Sequence, residues 1–180
     1  MIRNPFVWLC RFRHRRGYGV HSPFAFDLIT QVIYSPGEYY DYEWLDRQFP
    51  TWQRLLHLRP LARARLMFRL INFWQPQEIA ERGASPLMLN YLHMGCKHAR
   101  QTDCDSALHY DFVYLTDLRQ GDSEMMSERS MLVVDGLQKY RAEWQHLQQD
   151  ERVTVTFDLH DVGIAVRRAG LQKQNYIVNW

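Results

Sequence analysis

The clearest pattern along this chain is a change from helical spacing of apolar residues in its first half to near-continuous apolar runs in its second half. Phe24, Leu28 and Val32 recur at the spacing of one helix face. The runs Tyr110–Asp117 and Ser130–Asp135 are mostly apolar and end in polar residues. Such runs are expected of parallel strands covered on both faces, with ligands at their carboxyl ends. The pattern predicts helices first and an α/β sheet afterwards.

The first half is predicted to form a helical arm or subdomain over residues 1–75. Ser22 is placed as an N-cap, with a proline directly after it. Two longer helices are predicted over Tyr42–Leu58, with an interruption at Pro50, and over Pro60–Trp74.

The second half, residues 76–180, is predicted to form the sheet domain. It opens on Pro76–Leu92, which we interpret as a short strand, a turn around Gly83 and a helix. The remaining elements are a helix over Gln138–Gln149, an antiparallel hairpin of Arg152–Asp158 with Val162–Arg168, and a last strand over Asn175–Val178.

Composition and charge narrow the class of protein. The chain has 180 residues, 46% hydrophobic and 23% charged, which are ordinary globular values, and its net charge of +2 does not by itself argue for nucleic acid. The three cysteines form no framework, which predicts a reducing cytoplasm, and no apolar run approaches the ~20 residues of a spanning helix. Cys96 and Cys104 fit no metal-ligand spacing, so we expect no metal site.

The Pro76–Leu92 unit is the main candidate for chemistry. A strand that feeds a glycine-containing turn and then a helix lets backbone approach a ligand, and the helix N-terminus favours anionic groups. The chain has no Gly-Lys-Ser/Thr sequence, which excludes a P-loop. Ser85 lacks the second glycine of a nucleophile elbow, so no serine nucleophile is indicated.

The spacing Glu81-x-Gly83 resembles the first motif of class I S-adenosylmethionine-dependent methyltransferases. The resemblance implies that Glu81 and Gly83 hold the methionine part of the cofactor, with Ser85 in the same turn. It places Asp103, with Asp105 as the alternative, where that family binds the ribose hydroxyls. At the end of the next strand the expected acid falls on a threonine.

Three further residues belong to this predicted site. Asp117 stands one residue beyond the position where the family has its acid, and a slip of one residue turns a side chain to the other face of a sheet. Asp135 would flank the methyl acceptor, and His21 would lie at the mouth of the site as a catalytic or ligand-gating residue. A structural histidine beside the helix cap is the alternative for His21.

A second resemblance covers both ends of the chain. Gly17–Ile29, with its Gly-Val-His-Ser-Pro-Phe core, resembles the N-terminal arm of a bacterial group of methyltransferase-like proteins, as does the run Asp150–Leu159. Together the two resemblances imply a Rossmann-like class I methyltransferase fold. Its sheet would be reduced, with parallel strands and an antiparallel C-terminal hairpin, and a helical arm would precede it.

The departures from that family all fall on the cofactor site. Leu87 stands where a second glycine is expected, and Asp135-Gly136 replaces a pair of acids. Only 17 residues separate Leu92 from Tyr110, whereas one strand-helix-strand crossover needs ~30. At least one such unit must be missing, and we expect a degraded site for S-adenosylmethionine.

Two functions follow as alternatives. If the chain is an enzyme, its partner is a small-molecule methyl acceptor. If it is a non-catalytic relative, it binds another protein or forms a homodimer through the sheet edge that the missing unit exposes. The basic cluster Arg11–Arg16, beside apolar residues, weakly resembles an arm for RNA or membranes, and we do not expect that contact.

Overall fold

The computed structural model describes residues 19–51 and 59–180. The predicted basic cluster Arg11–Arg16 and the predicted helical residues 52–58 lie outside the described residues. Within the described ranges, no helix is both long and apolar enough to cross a membrane.

Among the described residues, four helical segments lie before residue 96. Ser22 caps the first, as its hydroxyl accepts a hydrogen bond from the Ala25 N–H at 3.4 Å. Of the predicted helix over Tyr42–Leu58, the described part forms a helix over Tyr40–Asp46 that ends before Pro50, where the interruption was predicted. The segments are α1 (Pro23–Asp27) with its π-helical continuation Leu28–Ile33, α2 (Tyr40–Asp46), α3 (Arg59–Trp74) and α4 (Pro86–Gly95).

In the part of the chain that the structure describes, seven strands form one sheet, in the order β2-β1-β3-β4-β6-β5-β7. Strands β2, β1, β3 and β4 are parallel neighbours, β6 is antiparallel to both β4 and β5, and β7 is parallel to β5. The strands are β1 (Glu78–Arg82), β2 (Arg100–Asp103), β3 (Tyr110–Leu115), β4 (Met126–Asp135), β5 (Val155–Asp158), β6 (Val162–Arg168) and β7 (Gln174–Ile177).

This topology confirms the predicted fold class. Parallel strands joined to an antiparallel C-terminal hairpin make a Rossmann-like sheet of the class I methyltransferase type. β3 and the second half of β4, from Ser130 to Val134, are buried almost without interruption, as parallel strands covered on both faces require.

The shortened side of the sheet lies at β2. This strand has four residues, and the chain passes from it to β3 through residues 104–109 without a helix. The connection from β3 to β4 is also short, with a 3₁₀ turn over Asp122–Met125 in place of an α-helix. β2 ends the sheet, and at the other end β7 lies beyond the hairpin.

Helix α5 (Arg141–Gln149) packs on one face of the sheet. Trp144 and Leu147 are its buried residues, and they share an apolar cluster with Val113, Leu132 and Ala165 from β3, β4 and β6. A Cβ at Gly163 would meet the Trp144 ring at 2.7 Å, so a glycine is needed where the indole lies against β6. Trp144 therefore anchors α5 to this face of the sheet.

The described chain divides into two compact units, one of residues up to 75 together with 85–97, the other of 76–84 together with 98–180. The predicted boundary assigned α4 to the sheet domain, whereas this helix groups with the helices. The reason is close packing on α3, since a Cβ at Gly95 would lie 2.9 Å from the Phe68 carbonyl oxygen and 3.1 Å from Ile71. Gly95 thus lets the two helix backbones approach each other.

Candidate functional site

The sheet unit aligns polar side chains at the carboxyl ends of neighbouring parallel strands. Glu81 on β1 lies in register with Asp103 on β2 and with Tyr114 on β3. Residues in register on neighbouring strands point to the same face of a sheet. The structure therefore brings Glu81 and Asp103 side by side, at the edge where parallel sheets bind their ligands.

The turn after β1 is held by its own carboxylate. Gly83 has φ +80°, a left-handed conformation that only glycine adopts without strain. The Ala84 N–H, two residues beyond the strand, donates to Glu81 Oε2 at 2.8 Å. One oxygen of Glu81 and one amide of the turn are thus already bonded to each other.

Thr116 fills the space that the glycine leaves open. A Cβ built on Gly83 would lie 2.1 Å from Thr116 Oγ1. The hydroxyl donates to the carbonyl oxygens of Arg82 at 3.2 Å and Gly83 at 3.4 Å, which ties β3 to the turn. Leu87, which stands where a second glycine is expected, packs against the apolar cluster of the helical unit. Glycine is needed at position 83 because the Cβ of any other residue would clash with Thr116.

Asp135 lies at the end of β4, where the Tyr114 hydroxyl donates to its Oδ2 at 2.9 Å. The next residue, Gly136, has φ +85° and turns the chain back, so that the N–H groups of Gly136 and Leu137 donate to the Asp161 carbonyl oxygen. The predicted acceptor-flanking carboxylate is therefore at the predicted strand end, and a tyrosine from β3 orients it.

Asp117 faces an arginine cluster that the sequence did not reveal. Its Oδ1 accepts from Arg82 Nε at 2.7 Å, and its Oδ2 accepts from Arg119 Nε at 2.9 Å. Arg82 Nη2 also donates to Asp122 Oδ2 at 2.5 Å, and the Asp122 side chain is only 8% exposed. Partial burial opposes ionisation of Asp117, but hydrogen bonds from Arg82 and Arg119 hold its pKa below the usual value.

The hydrogen bonds of Asp117 place it in a structural network. Arg82 itself has a raised pKa because, against the effect of burial, its bonds to Asp122 and Asp117 stabilise the cation. A role of Asp117 in cofactor binding stays a prediction. The one signal for the network in the sequence was the pair of acids that follows β3 at residues 117 and 122.

Ser85 and His21 belong to the helical unit. The Ser85 hydroxyl accepts from the Met88 N–H at 3.2 Å and caps α4, so its described bond is a helix cap. His21 is exposed and precedes the cap residue of α1. Their roles at a cofactor site stay predictions.

A second polar cluster, which sequence reasoning missed, closes the β5–β6 hairpin. His160 has φ +77°, and its N–H donates to Asp158 Oδ1 at 2.7 Å. Arg141 from α5 bonds Asp158 Oδ2 at 2.5 Å and the His160 carbonyl oxygen at 2.8 Å. These bonds hold a non-glycine residue in a left-handed turn beside Gly136.

Among the described residues, neither a metal centre nor a ligand-binding cleft is supported. Across residues 19–51 and 59–180 no three His, Cys, Asp or Glu side chains are grouped so as to hold a metal ion. An open cleft of about 590 Å³ lies between the 3₁₀ turn and the end of α5, and its charged residues are largely paired, as with Arg152 and Asp150 at 2.9 Å.

No protein-family model matches this sequence, and no curated protein matches it either. Among solved structures, the chain is similar to the SAH-bound methyltransferase PaMTH1 of Podospora anserina, with 10% identity and a TM-score of 0.48 over 93% of this chain and 97% of that one. It is also similar to a methyltransferase from Geobacter sulfurreducens, with 13% identity and a TM-score of 0.48 over 73% and 91% of the two chains. The fold assignment rests on the sheet topology of the chain itself.

Proposed function

We propose that this chain is a methyltransferase-like protein whose S-adenosylmethionine site is degraded, and that it acts by binding another protein chain. The observation that carries the proposal is the closed glycine turn after β1. Thr116 Oγ1 occupies the place next to Gly83, and Glu81 has taken up the Ala84 amide. Side chains of the chain itself therefore fill the turn and bond its Ala84 amide.

The residues of the sheet unit fit the cofactor only in part. Asp103 and Glu81 stand in register at the strand ends, as the resemblance requires for the ribose and methionine parts. A cofactor also needs backbone that it can approach, and at Gly83 that approach is filled by Thr116. In this proposal Glu81 and Asp103 are retained from a cofactor site, and the Gly83 turn that should complete the site does not fit S-adenosylmethionine.

The proposal also includes descent from the bacterial methyltransferase-like group and a location in the cytoplasm. The arm motif, which the structure describes from Gly19 onward, supports descent from the bacterial methyltransferase-like group, and the cysteine pattern supports a cytoplasmic protein. In this proposal Asp135 keeps its place by bonding Tyr114 and orders the end of β4. A small-molecule acceptor is the partner only if the enzyme alternative holds.

Isothermal titration of the purified chain with S-adenosylmethionine and S-adenosylhomocysteine tests the proposal. We expect no binding heat from folded protein, with far-ultraviolet circular dichroism as the control for folding. Micromolar binding that Glu81→Ala abolishes and Glu78→Ala preserves would overturn it. Glu78 is the matched control because it lies on the same strand, at the opposite end, where it pairs with Arg100.

A further inference from the structure

The strand β7 lies at one edge of the described sheet, and its backbone hydrogen bonds have a defined direction. The N–H groups of Gln174 and Val178 donate to the carbonyl oxygens of residues 154 and 158, each at 2.9 Å. Backbone groups alternate in direction along a strand, so Gln174, Tyr176 and Val178 face β5. Asn175 and Ile177 are exposed and direct their N–H and C=O groups away from β5, where no described strand pairs with them.

This edge lacks the charges and prolines that keep exposed sheet edges from pairing. Natural edges are blunted by charged side chains, by proline, by bulges or by a covering segment. β7 contains no charged residue and no proline, and Ile177 is 46% exposed. Lys173, directly before the strand, donates from its ammonium group to the Asp150 carbonyl oxygen, which holds the charge against its own chain. The outward backbone groups of β7 are therefore open to a partner strand.

We propose that a second copy of this chain pairs with this edge, β7 against β7, in an antiparallel register centred on Tyr176. In a two-fold dimer the same residues contribute from both copies, and only residues that face outward exchange backbone hydrogen bonds. Asn175 then lies opposite Ile177 of the second copy, and these two positions exchange hydrogen bonds in both directions. The two sheets become one continuous sheet.

An aromatic row makes β7 complementary to itself. The rings of Tyr176 and Phe157 stack across β7 and β5, with their centroids 5.4 Å apart and an angle of 19° between their planes. In the proposed register the two Tyr176 side chains meet at the axis in a non-hydrogen-bonded pair, where side chains of antiparallel strands are closest. Aromatic pairs at such positions are favourable. Because the second copy continues the same row, a copy of this chain is the partner that fits the edge.

The opposite face of β7 also suits this register. Asn175 and Ile177 are two residues apart and share that face. The Thr156 hydroxyl donates to Asn175 Oδ1 at 2.7 Å, so this amide oxygen has its hydrogen bond within the chain and needs none from the second copy. Ile177 packs beside the Asn175 side chain of the other copy. Pairing therefore removes exposed aliphatic surface from water without breaking a described hydrogen bond.

The β7 dimer rests on the binding role proposed above and names its partner. The homodimer predicted from the sequence used the other edge of the sheet, at β2. Gln101 on that strand already takes part in an interaction within the chain, so the dimer proposed here is built on β7 instead.

Sedimentation velocity of the full chain over a wide concentration range measures the dimer, first for the native sequence. Two double variants share Ile177→Lys and differ in the sign of the charge at position 175. Ile177→Lys with Asn175→Asp places opposite charges against each other twice and should preserve the dimer. Ile177→Lys with Asn175→Lys places like charges there and should weaken it by about 10-fold or more. Far-ultraviolet circular dichroism of each variant controls for folding.

A second pair of variants tests the backbone hydrogen bonds. Asn175→Pro removes an outward N–H and leaves the bonds of β7 to β5 in place, so it is expected to abolish the dimer. Asn175→Ala also removes the amide side chain but retains the N–H, and it should preserve the dimer. The comparison therefore isolates one backbone donor at an exposed position.

Three results would overturn the proposal. The first is a chain that is monomeric at every concentration. The second is a dimer that Asn175→Pro leaves intact, because β7 would then lie outside the interface. The third is loss of the dimer in both lysine variants, because a register centred on Ile177 would set the two introduced lysines against each other.

Failure here is distinguishable from failure of the degraded site. A monomer that gives no heat with S-adenosylmethionine contradicts the dimer and leaves the degraded site standing. A β7 dimer that binds the cofactor contradicts the degraded site alone.

Discussion

The contact between Gly83 and Thr116 can be tested by adding one methyl group. In Gly83→Ala the new Cβ would stand 2.1 Å from Thr116 Oγ1, far inside van der Waals distance, while the Cβ and methyl of Thr116 lie at 3.4 and 3.7 Å and are no obstacle. The substitution also places an alanine at φ +80°. Gly83→Ala therefore has two separate destabilising effects, a steric clash with Thr116 and an unfavourable backbone conformation.

The two penalties can be given magnitudes. An alanine in the left-handed region costs about 1–2 kcal/mol, and forcing a group into filled space costs about 1–3 kcal/mol more. Gly83→Ala should thus lower the free energy of unfolding by about 2–5 kcal/mol. Thr116→Ala alone should lower it by about 1 kcal/mol, through loss of the hydroxyl's bond to the Arg82 carbonyl.

Urea unfolding followed by tryptophan fluorescence measures these differences. Gly121→Ala is the matched control, because Gly121 has φ +92° with nothing within 4 Å of its would-be Cβ, so it carries the backbone penalty alone. In the double variant Gly83→Ala with Thr116→Ala, the steric penalty disappears and the backbone penalty stays. We expect a favourable coupling energy of about 1–3 kcal/mol.

Two results would contradict this reasoning. If Gly83→Ala costs no more than Gly121→Ala, Thr116 does not fill the turn. If the double variant is as unstable as the sum of the singles, the strain at Gly83 has another source. Either result would reopen the glycine turn as a place for a ligand, and would remove the observation on which the proposed function depends.

Two further predictions concern charged groups of the sheet unit. Arg82→Met leaves the nearly buried Asp122 carboxylate without its partner and should destabilise the chain by about 3–5 kcal/mol, whereas Arg100→Met, at an exposed pair, should cost less than about 1 kcal/mol in the same urea assay. Although burial opposes its ionisation, Asp150 has its pKa lowered to about 2, chiefly by hydrogen bonds from Arg152. A depressed carboxyl pKa stabilises the fold above its unfolded value and loses that contribution as pH falls through the folded value. Acid titration of unfolding should therefore show a loss of stability between about pH 4 and pH 2 that is smaller in Asp150→Asn, and equal slopes in both proteins would contradict the assignment.

The central strands could be predicted from the sequence because burial on both faces requires a near-continuous run of apolar residues. The predicted strand Tyr110–Asp117 is β3, which ends at Leu115, two residues earlier than predicted. β4 ends at Asp135 as predicted but begins at Met126, because the polar residues of its first part carry no continuous apolar signal. The resemblance offered Asp103 or Asp105 for the ribose position, and β2 brings Asp103 into register with Glu81. A role of either residue at a cofactor site stays a prediction.

The interior of the candidate site could not be predicted in the same way. Thr116 was visible only as a residue in place of an expected acid, and its filling of the Gly83 turn depends on a register between strands 33 positions apart in the chain. The bond of Arg82 to Asp122 spans 40 positions, and no local pattern specifies such a pairing. Long-range side-chain contacts depend on packing, which spacing along the chain does not encode.

The division into two units has a consequence for synthesis on the ribosome. The chain passes from one unit to the other after Gln75, Ala84 and Lys97, so each unit is built from separated segments. β1 emerges before either of its neighbours, and at ordinary translation rates it waits for β3 for roughly a few seconds. Until β2 is made, β1 has no partner strand. A contiguous fragment beginning at residue 98 lacks this strand, and a fragment beginning at residue 76, which restores it, also carries α4 of the helical unit.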